Sequence, residues 1–257
     1  MAGTRAGAGR LTAAQIAEAL ELAKDADSVE LKLTVPDTDQ RSAIMALGMD
    51  PLEAEIRQII FFDTPDLQLD KAGVVVRARR IRKGGDATMK LRPVVPAELP
   101  GKLRRSPNFG VEVDAMPGAF VCSGTLKSKA DNERIRQVIA GERAIRKLFS
   151  PEQRRLYAQR APNGIGLDTL VPLGPVNVIK LKFSPTGFAR GLVAELWSFP
   201  DMTRVLELST KCAPAETVRI VEEARAYLTE RGVDLTGEQA TKTRKALAYF
   251  AKAAASD

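Results

Sequence analysis

Charged side chains alternate with apolar ones along most strand-like segments of this chain. In the first segment Glu30 and Lys32 share one face, while Val29, Leu31 and Leu33 share the other. Successive side chains of a strand point to opposite faces, so each such segment has one ionic face and one apolar face. The charged faces recur in the pairs Arg77 and Arg79, Lys90 and Arg92, Glu112 and Asp114, Lys180 and Lys182, and in the acidic residues Glu195 and Glu207.

An ionic face on a single strand ordinarily indicates an antiparallel sheet with one solvated side. In this chain the polar faces are almost wholly ionic, and separate strands supply the two signs of charge. If the sheet closes with these faces inward, its apolar faces lie outside, where amphipathic helices can cover them. The pattern therefore predicts an α+β fold, in which a closed β-barrel with a charged lumen is flanked by helices.

Period-two segments and helix signals predict the order of the elements. Strands are expected at residues 29–35, 55–63, 74–82, 88–94, 109–116, 176–183, 191–199 and 203–211. Helices are expected at residues 11–24, 37–48, 131–140, 150–160, 214–231 and 237–252. Residues 1–10 are expected to form a disordered tail. No linker separates two cores, so we expect one domain over residues 11–252 with its core at residues 28–252.

The absence of histidine removes several kinds of active site. The 257 residues contain no histidine and two cysteines, which excludes Ser-His-Asp and Cys-His nucleophiles and His-ligated zinc sites. The net charge is +7, and residues 71–105 carry eleven basic residues against two acidic ones. A charged lumen needs a compensating guest. A polyanion with a divalent metal would suit it, because amines and guanidiniums bind phosphoryl oxygens and carboxylates bind the metal.

The sequence also indicates the compartment. Its first ten residues lack the apolar core of a signal peptide, and no apolar run approaches the roughly 20 residues that span a bilayer. We therefore expect a cytoplasmic protein without a membrane partner, in which Cys122 and Cys212 are buried thiols. The oligomeric state is left open.

Several short motifs follow one another in a recognisable order. Residues 30–32 read ELK, and residues 61–67 read FFDTPDL. The later motifs are RARR at residues 77–80, TMKLRP at 88–93, VLELS at 205–209 and TKTRKAL at 241–247. Together they resemble the CYTH superfamily, the triphosphate tunnel metalloenzymes, whose signatures include ExExK and YFDTPDL. The resemblance spans roughly residues 28–250.

The resemblance implies an eight-stranded antiparallel tunnel that binds a small triphosphate compound with Mg²⁺ or Mn²⁺. It implies Glu30, Glu195 and Glu207 as metal ligands, and Glu30, Lys32 and Glu207 as catalytic residues. The implied substrate-binding residues are Lys32, Arg77, Arg79, Lys90, Arg92, Lys180, Lys182 and Lys242.

The leading hypothesis is a metal-dependent hydrolase of inorganic triphosphate or a compound like thiamine triphosphate. An adenylate cyclase of the CYTH type is an alternative. A non-catalytic polyphosphate- or nucleotide-binding module is another, because Ser28 and Ser209 stand where the family usually has carboxylates. Nucleic acid is expected only as an RNA 5′-triphosphate, since aromatic residues make up 5% of the chain and offer few stacking platforms.

Overall fold

The computed structural model describes residues 21, 23–235, 237, 239 and 241–254. The strands are β1 (Ser28–Val35), β2 (Glu55–Asp63), β3 (Val74–Ile81), β4 (Gly84–Leu91), β5 (Phe109–Met116), β6 (Ala119–Ala130), β7 (Val171–Phe183), β8 (Leu192–Ser198) and β9 (Arg204–Cys212). The helices are α1 (Gln40–Ala46), α2 (Gln68–Lys71), α3 (Gly101–Arg104), α4 (Asn132–Ile139), α5 (Pro151–Arg160), α6 (Thr217–Glu230) and α7 (Lys242–Ala254). The predicted tail at residues 1–10 and most of the predicted helix at 11–24 lie outside the described residues.

The strands close into a barrel in the order β1-β5-β6-β4-β3-β2-β7-β8-β9. The prediction of a closed barrel with flanking helices is confirmed, but the prediction of eight antiparallel strands is wrong. The additional strand is β6, in which Gly124 and Ser128 interrupt the apolar outward positions. Gly124 is needed there, because a Cβ atom would lie 2.6 Å from the ring of Phe109 on β5.

An odd number of strands forces one parallel contact. Neighbouring strands of a closed ring can alternate in direction all the way round only when their number is even. The parallel pair is β1 with β5, in which Glu30 lies beside Asp114 and Ser28 beside Glu112. Every other neighbouring pair is antiparallel. The barrel is therefore mixed.

Helices cover much of the apolar outer surface of the barrel, as the alternation predicts. Helices α4 and α5 pack on one cluster of buried side chains through residues such as Ile135 and Leu156. Helices α1 and α6 pack on a second cluster through residues such as Ala43 and Tyr227. In the described part of the chain, no helix is long and apolar enough to cross a membrane.

Helix α7 packs differently, against side chains that point into the barrel. Its Ala246, Leu247 and Phe250 belong to a buried cluster with Val178 and Trp197, which also line the lumen. The predicted helix at 237–252 thus begins at Lys242 and closes one end of the barrel.

Helix α5 is tied to the barrel wall by one buried amide. The Gln153 side chain is fully buried, and its Nε2 donates to the carbonyls of Ala87 at 2.9 Å and Leu126 at 3.0 Å. Its Oε1 accepts from Ser128 Oγ at 2.8 Å and from the Ser150 backbone N–H at 2.9 Å. The last contact is half of the capping box that begins α5, in which Ser150 Oγ also accepts from the Gln153 backbone N–H at 3.2 Å.

We expect Gln153→Ala to lower the free energy of unfolding by about 1–3 kcal/mol, because two strand carbonyls lose a buried donor. The matched variant Gln159→Ala, on the exposed side of α5, should change it by less than about 0.5 kcal/mol. Denaturant unfolding of both variants measures the difference. Equal effects would show that the buried amide does not hold α5 to the barrel.

Candidate functional site

The lumen carries its two signs of charge on opposite sides. The carboxylates lie on four neighbouring strands, β8, β9, β1 and β5, and we call this side the acidic arc. It consists of Glu195, Glu207, Glu30, Glu112 and Asp114. Strands β6, β4, β3, β2 and β7 form the other side, the basic arc. It consists of Lys127, Lys90, Arg92, Arg77, Arg79, Arg57 and Lys180.

The inward residues of β8 show how the site is layered along the barrel. Val193 lines a cavity at the open mouth, Glu195 lies in the charged lumen, and Trp197 packs beside α7 at the closed end. Trp197 is 1% exposed, and its Nε1 donates to Glu195 Oε2 at 3.3 Å. This tryptophan is therefore part of the floor of the lumen and is not available to stack on a ligand.

In the acidic arc, Glu195 and Glu207 are direct cross-strand partners. Two carboxylates in this position repel each other. Lys242, at the start of α7, compensates by pairing with both, with its Nζ 2.6 Å from Glu207 Oε1. Burial alone would lower the pKa of Lys242, but Glu207 and Glu195 raise it above its usual value. This ammonium occupies the position between two carboxylates that the resemblance implies as metal ligands.

A second acidic group lies where β1 and β5 run parallel. One oxygen each of Glu30, Glu112 and Asp114 lies within 4.8 Å of the others, a grouping that can hold a metal ion. Three carboxylates form a hard oxygen donor set, which suits Mg²⁺ or Mn²⁺. Two lysines neutralise this group. Lys32 Nζ lies 2.7 Å from Asp114 Oδ1 and 3.2 Å from Glu30 Oε2, and Lys211 pairs with Glu112.

The two serines that depart from the family pattern contact this group. Ser209 Oγ donates to Glu30 Oε1 at 3.1 Å, and Ser28 Oγ donates to Glu112 Oε2 at 3.3 Å. The hydroxyls thus orient two of the three carboxylates.

These carboxylates are held in the ionised form. Burial would raise the pKa of Glu30, but Lys32 and Lys211 overcome it and lower the pKa to about 2. Burial likewise opposes the shift of Asp114, where Lys32 and Lys90 hold the pKa well below its usual range. Glu30 and Asp114 are therefore anionic at every physiological pH.

In the basic arc, Arg77 stands out because it lacks a counterion. Its guanidinium makes no hydrogen bond or ion pair to any described residue, and Nε is inaccessible to water. Burial and the neighbouring Arg79 lower its pKa. Two neighbouring cations do have carboxylate partners. Arg79 Nε donates to Asp86 Oδ2 at 2.8 Å, and Lys90 Nζ donates to Asp114 Oδ2 at 2.9 Å.

Lys127, from the strand that the sequence did not predict, is also without an ion pair in the described chain. It lines the lumen, and burial together with nearby Arg77 lowers its pKa. Within the described residues neither cation forms an ion pair, although Asp86 and Glu195 act on Arg77, and Glu112 on the exposed Lys127, from a greater distance.

Nearly all of the predicted site residues line the lumen: Glu30, Lys32, Arg77, Arg79, Lys90, Arg92, Lys180, Glu195, Glu207 and Lys242. Lys182 does not, because it is exposed and lines the cavity at the mouth. The predictions omit Arg57, Lys127 and Lys211, which also face the lumen. Lys127 and Lys211 each continue a period-two series, after Thr125 and Ser209, so the alternation could have identified them.

The FFDTPDL motif has a structural role. Asp63 is buried, and its carboxylate accepts from the backbone N–H groups of Thr64, Leu69 and Asp70 at 2.7–3.0 Å. These bonds join the end of β2 to the first turn of α2. The residue therefore shapes the β2–β3 connection and contacts no part of the lumen.

Comparison with known proteins gives structural neighbours but no sequence match. No protein-family model matches the chain, and no curated protein matches it by sequence. A Hippeastrum protein, described as a candidate adenylyl cyclase with a dominant triphosphatase activity, has a TM-score of 0.60 at 16% identity, covering 84% of this chain and 92% of that one. A candidate adenylate cyclase of Bacillus halodurans has a TM-score of 0.58 at 13% identity, covering 84% of this chain and 96% of that one. These likenesses show that the chain shares the closed-barrel fold of the two proteins, in agreement with the barrel that its resemblance to the CYTH superfamily implies.

Proposed function

We propose that this protein is a metal-dependent hydrolase of a triphosphate compound, which binds with its phosphates against the basic arc. The observation that carries the proposal is Arg77, a buried cation in the lumen that forms no hydrogen bond or ion pair with any described side chain. A buried charge of this kind is costly unless a ligand neutralises it. The triphosphatase activity named for the Hippeastrum neighbour supports the same class of substrate.

The basic arc matches the chemistry of a phosphate chain. Guanidiniums bind phosphoryl oxygens through two parallel hydrogen bonds, and ammonium groups bind them as point charges. Arg77 and Lys127 supply the donors that are free, and Arg79, Lys90, Arg92 and Lys180 add positive charge around them. Phosphoryl transfer depends mainly on positioning and electrostatic stabilisation, so no histidine is required.

The acidic arc would hold the divalent metal. We place Mg²⁺ or Mn²⁺ at Glu30, Glu112 and Asp114, because one oxygen of each lies within 4.8 Å of the others. When bound, the metal neutralises charge on the phosphate oxygens and lowers the barrier to their displacement. Glu30 belongs both to this group and to the ligand set that the resemblance implies. Lys32, which contacts Glu30 and Asp114, fixes these carboxylates between β1 and β5.

The other two hypotheses differ from hydrolysis in their products. A cyclase would release cyclic AMP and pyrophosphate from ATP, and a binding module would release nothing. The names of both neighbours mention adenylate cyclase. Product analysis with one set of substrates therefore separates all three.

We expect the wild-type protein to release phosphate from tripolyphosphate, thiamine triphosphate or ATP in the presence of Mg²⁺ or Mn²⁺, and to lose this activity with a chelator. Glu30→Gln should lose most of the activity, because the proposed metal site loses a ligand charge. Glu230→Gln, which alters a carboxylate 80% exposed on α6, should match the wild type. Binding without any product would contradict hydrolysis, and cyclic AMP from ATP would identify a cyclase.

A second prediction separates a binding role of Arg77 from a structural one. Arg77→Met keeps the length of the side chain but removes a charge without a counterion, so the melting temperature should stay or rise. The affinity for tripolyphosphate should fall by about tenfold to a hundredfold, the loss expected for charge-assisted hydrogen bonds. Arg160→Met on the surface of α5 should change neither quantity. Calorimetric titration measures the affinity for tripolyphosphate, and thermal unfolding measures the melting temperature. A lower melting temperature with unchanged affinity would mean that Arg77 is structural.

The lowered pKa of Glu30 predicts a specific loss of stability in acid. Its pKa is about 2 in the folded protein and about 4.5 without its partners, so the unfolded chain binds the proton more readily between these values. The stabilisation is complete above pH 4.5 and is lost as the pH falls toward 2. It is worth up to about 3 kcal/mol.

Unfolding in chelator at a series of pH values from 2 to 6 tests this. Glu30→Gln should flatten the acid dependence of the free energy of unfolding, because the titrating group is gone. Glu230→Gln should leave the dependence as in the wild type. An identical acid slope in all three proteins would show that Glu30 is not held ionised by Lys32 and Lys211.

A further inference from the structure

Lysines of the acidic arc, together with Lys90 from the basic arc, balance the three carboxylates of the proposed metal site. The ion pairs are Lys32 with Glu30 and Asp114, Lys90 with Asp114, and Lys211 with Glu112. Three negative charges are thus matched by three positive ones. A divalent metal would add two positive charges to this partly buried group, which is costly unless an ammonium group leaves.

Lys211 is the ammonium group that can leave most easily. Its side chain is 56% exposed, whereas those of Lys32 and Lys90 are 14% and 18% exposed. Lys32 contacts two carboxylates, but Lys211 forms one ion pair within the described residues, to Glu112. An exposed lysine with a single partner gains less from its ion pair than a buried one with two. A metal ion that binds Glu112 therefore displaces Lys211 first.

A hydroxyl group without a partner points independently to a ligand beside Glu112. Ser123, on β6, is the cross-strand neighbour of Glu112, so the two side chains lie on the same face of the sheet. The Ser123 side chain is fully buried, and its Oγ forms no hydrogen bond with any described residue. A buried hydroxyl without a partner is costly. A metal ion at Glu112 would supply the partner, because Mg²⁺ keeps several bound waters.

A displaced Lys211 stays within reach of the phosphates. It lies near the mouth-side end of β9, and its side chain lines both the cavity at the mouth and the lumen. Its four-carbon stem is flexible, and its ammonium group binds phosphoryl oxygens as a point charge. Lys211 can therefore turn from a carboxylate to a phosphate without any change in the barrel.

We propose that a divalent metal and Lys211 compete for Glu112, and that the metal thereby releases Lys211 to bind the phosphate chain of the substrate. This inference rests on the proposed function, because it needs the metal at Glu112 and the phosphates in the lumen. It gives Lys211 a binding role that the motifs do not imply. The metal and the phosphate chain then bind with positive coupling, so each raises the affinity of the protein for the other by the same factor.

The first test measures the binding of Mn²⁺ alone to the full chain by calorimetric titration. Lys211→Met removes the competing ammonium group, so the affinity for Mn²⁺ should rise about threefold to tenfold. Lys83→Met is the matched control, because Lys83 is an exposed lysine between β3 and β4 that forms no ion pair with any described residue. It should change the affinity by less than about twofold. A gain in affinity cannot result from misfolding.

The second test measures the binding of a tripolyphosphate analogue with imido bridges, which resist hydrolysis. At saturating Mn²⁺, Lys211→Met should weaken this binding about tenfold, the loss expected for a hydrogen bond to a charged group. In chelator, where Glu112 holds Lys211, the same substitution should weaken it by less than about threefold. The analogue chelates Mn²⁺ in solution equally for both proteins, so chelation does not affect the comparison.

A further variant frees Lys211 without any metal. Glu112→Gln removes the carboxylate that holds the ammonium group, so Lys211 should already bind the analogue in chelator. In this background Lys211→Met should therefore weaken binding about tenfold in chelator. The effect of the lysine then appears in metal-free protein, which separates its release from any other action of the metal.

Three results would overturn the inference. An unchanged or lower affinity of Lys211→Met for Mn²⁺ would show that Lys211 does not compete with the metal. Equal losses of analogue binding with and without Mn²⁺ would show that Lys211 binds phosphate whether or not the metal is bound. No loss in the Glu112→Gln background would show that a freed Lys211 does not contact the phosphates. The proposed function fails separately, if the wild-type protein binds neither Mn²⁺ nor the analogue.

Discussion

Closure of the barrel around its ionic faces is the constraint on which the rest of the structure depends. A lumen lined with carboxylates, amines and guanidiniums removes these groups from bulk water, and each must find compensation inside. The acidic arc achieves this with lysines of its own, since Lys32 and Lys211 pair with one carboxylate group and Lys242 with the other. The basic arc is compensated only in part, and the charge at Arg77 and Lys127, which form no ion pair within the described residues, is the basis on which we propose that the lumen binds an anion.

The parallel contact between β1 and β5 links the topology to the proposed metal site. Had the barrel eight antiparallel strands, nothing would require a parallel contact between these two strands. With nine, Glu30 lies in register with Asp114, and the same register brings Ser28 beside Glu112. Glu30 thus meets Glu112 and Asp114 because of strand order, although more than 80 residues separate it from them in the sequence. The serines at the family's carboxylate positions fit this arrangement, since they donate hydrogen bonds to acids supplied by other strands.

The local alternation of residues was sufficient to predict which side chains face the lumen. Glu30, Arg77 and Glu195 all point inward because the period of two is a property of each strand alone. Partners could not be predicted in this way, because they depend on which distant strands become neighbours. The resemblance implies Glu195 and Glu207 as metal ligands, but their pairing with Lys242 depends on the position of α7 and could not be predicted from the strands. Strand β6 was not predicted, because small residues stand at two of its outward positions. Lys127, which lies on this strand, was therefore not predicted as a site residue.

Helix α7 makes the two ends of the barrel different, because it fills one of them and leaves the other open. Trp197 and the apolar side of α7 fill one end, so a ligand and its products have to pass through the mouth beside Glu30, Lys180 and Lys211. In the proposed function, a phosphate chain that enters from there has its terminal phosphate deepest, toward Lys242 and the floor, and any organic group attached to it stays near the mouth. The residues that contact such a group would then be separated along the barrel axis from the charges around the reacting phosphates.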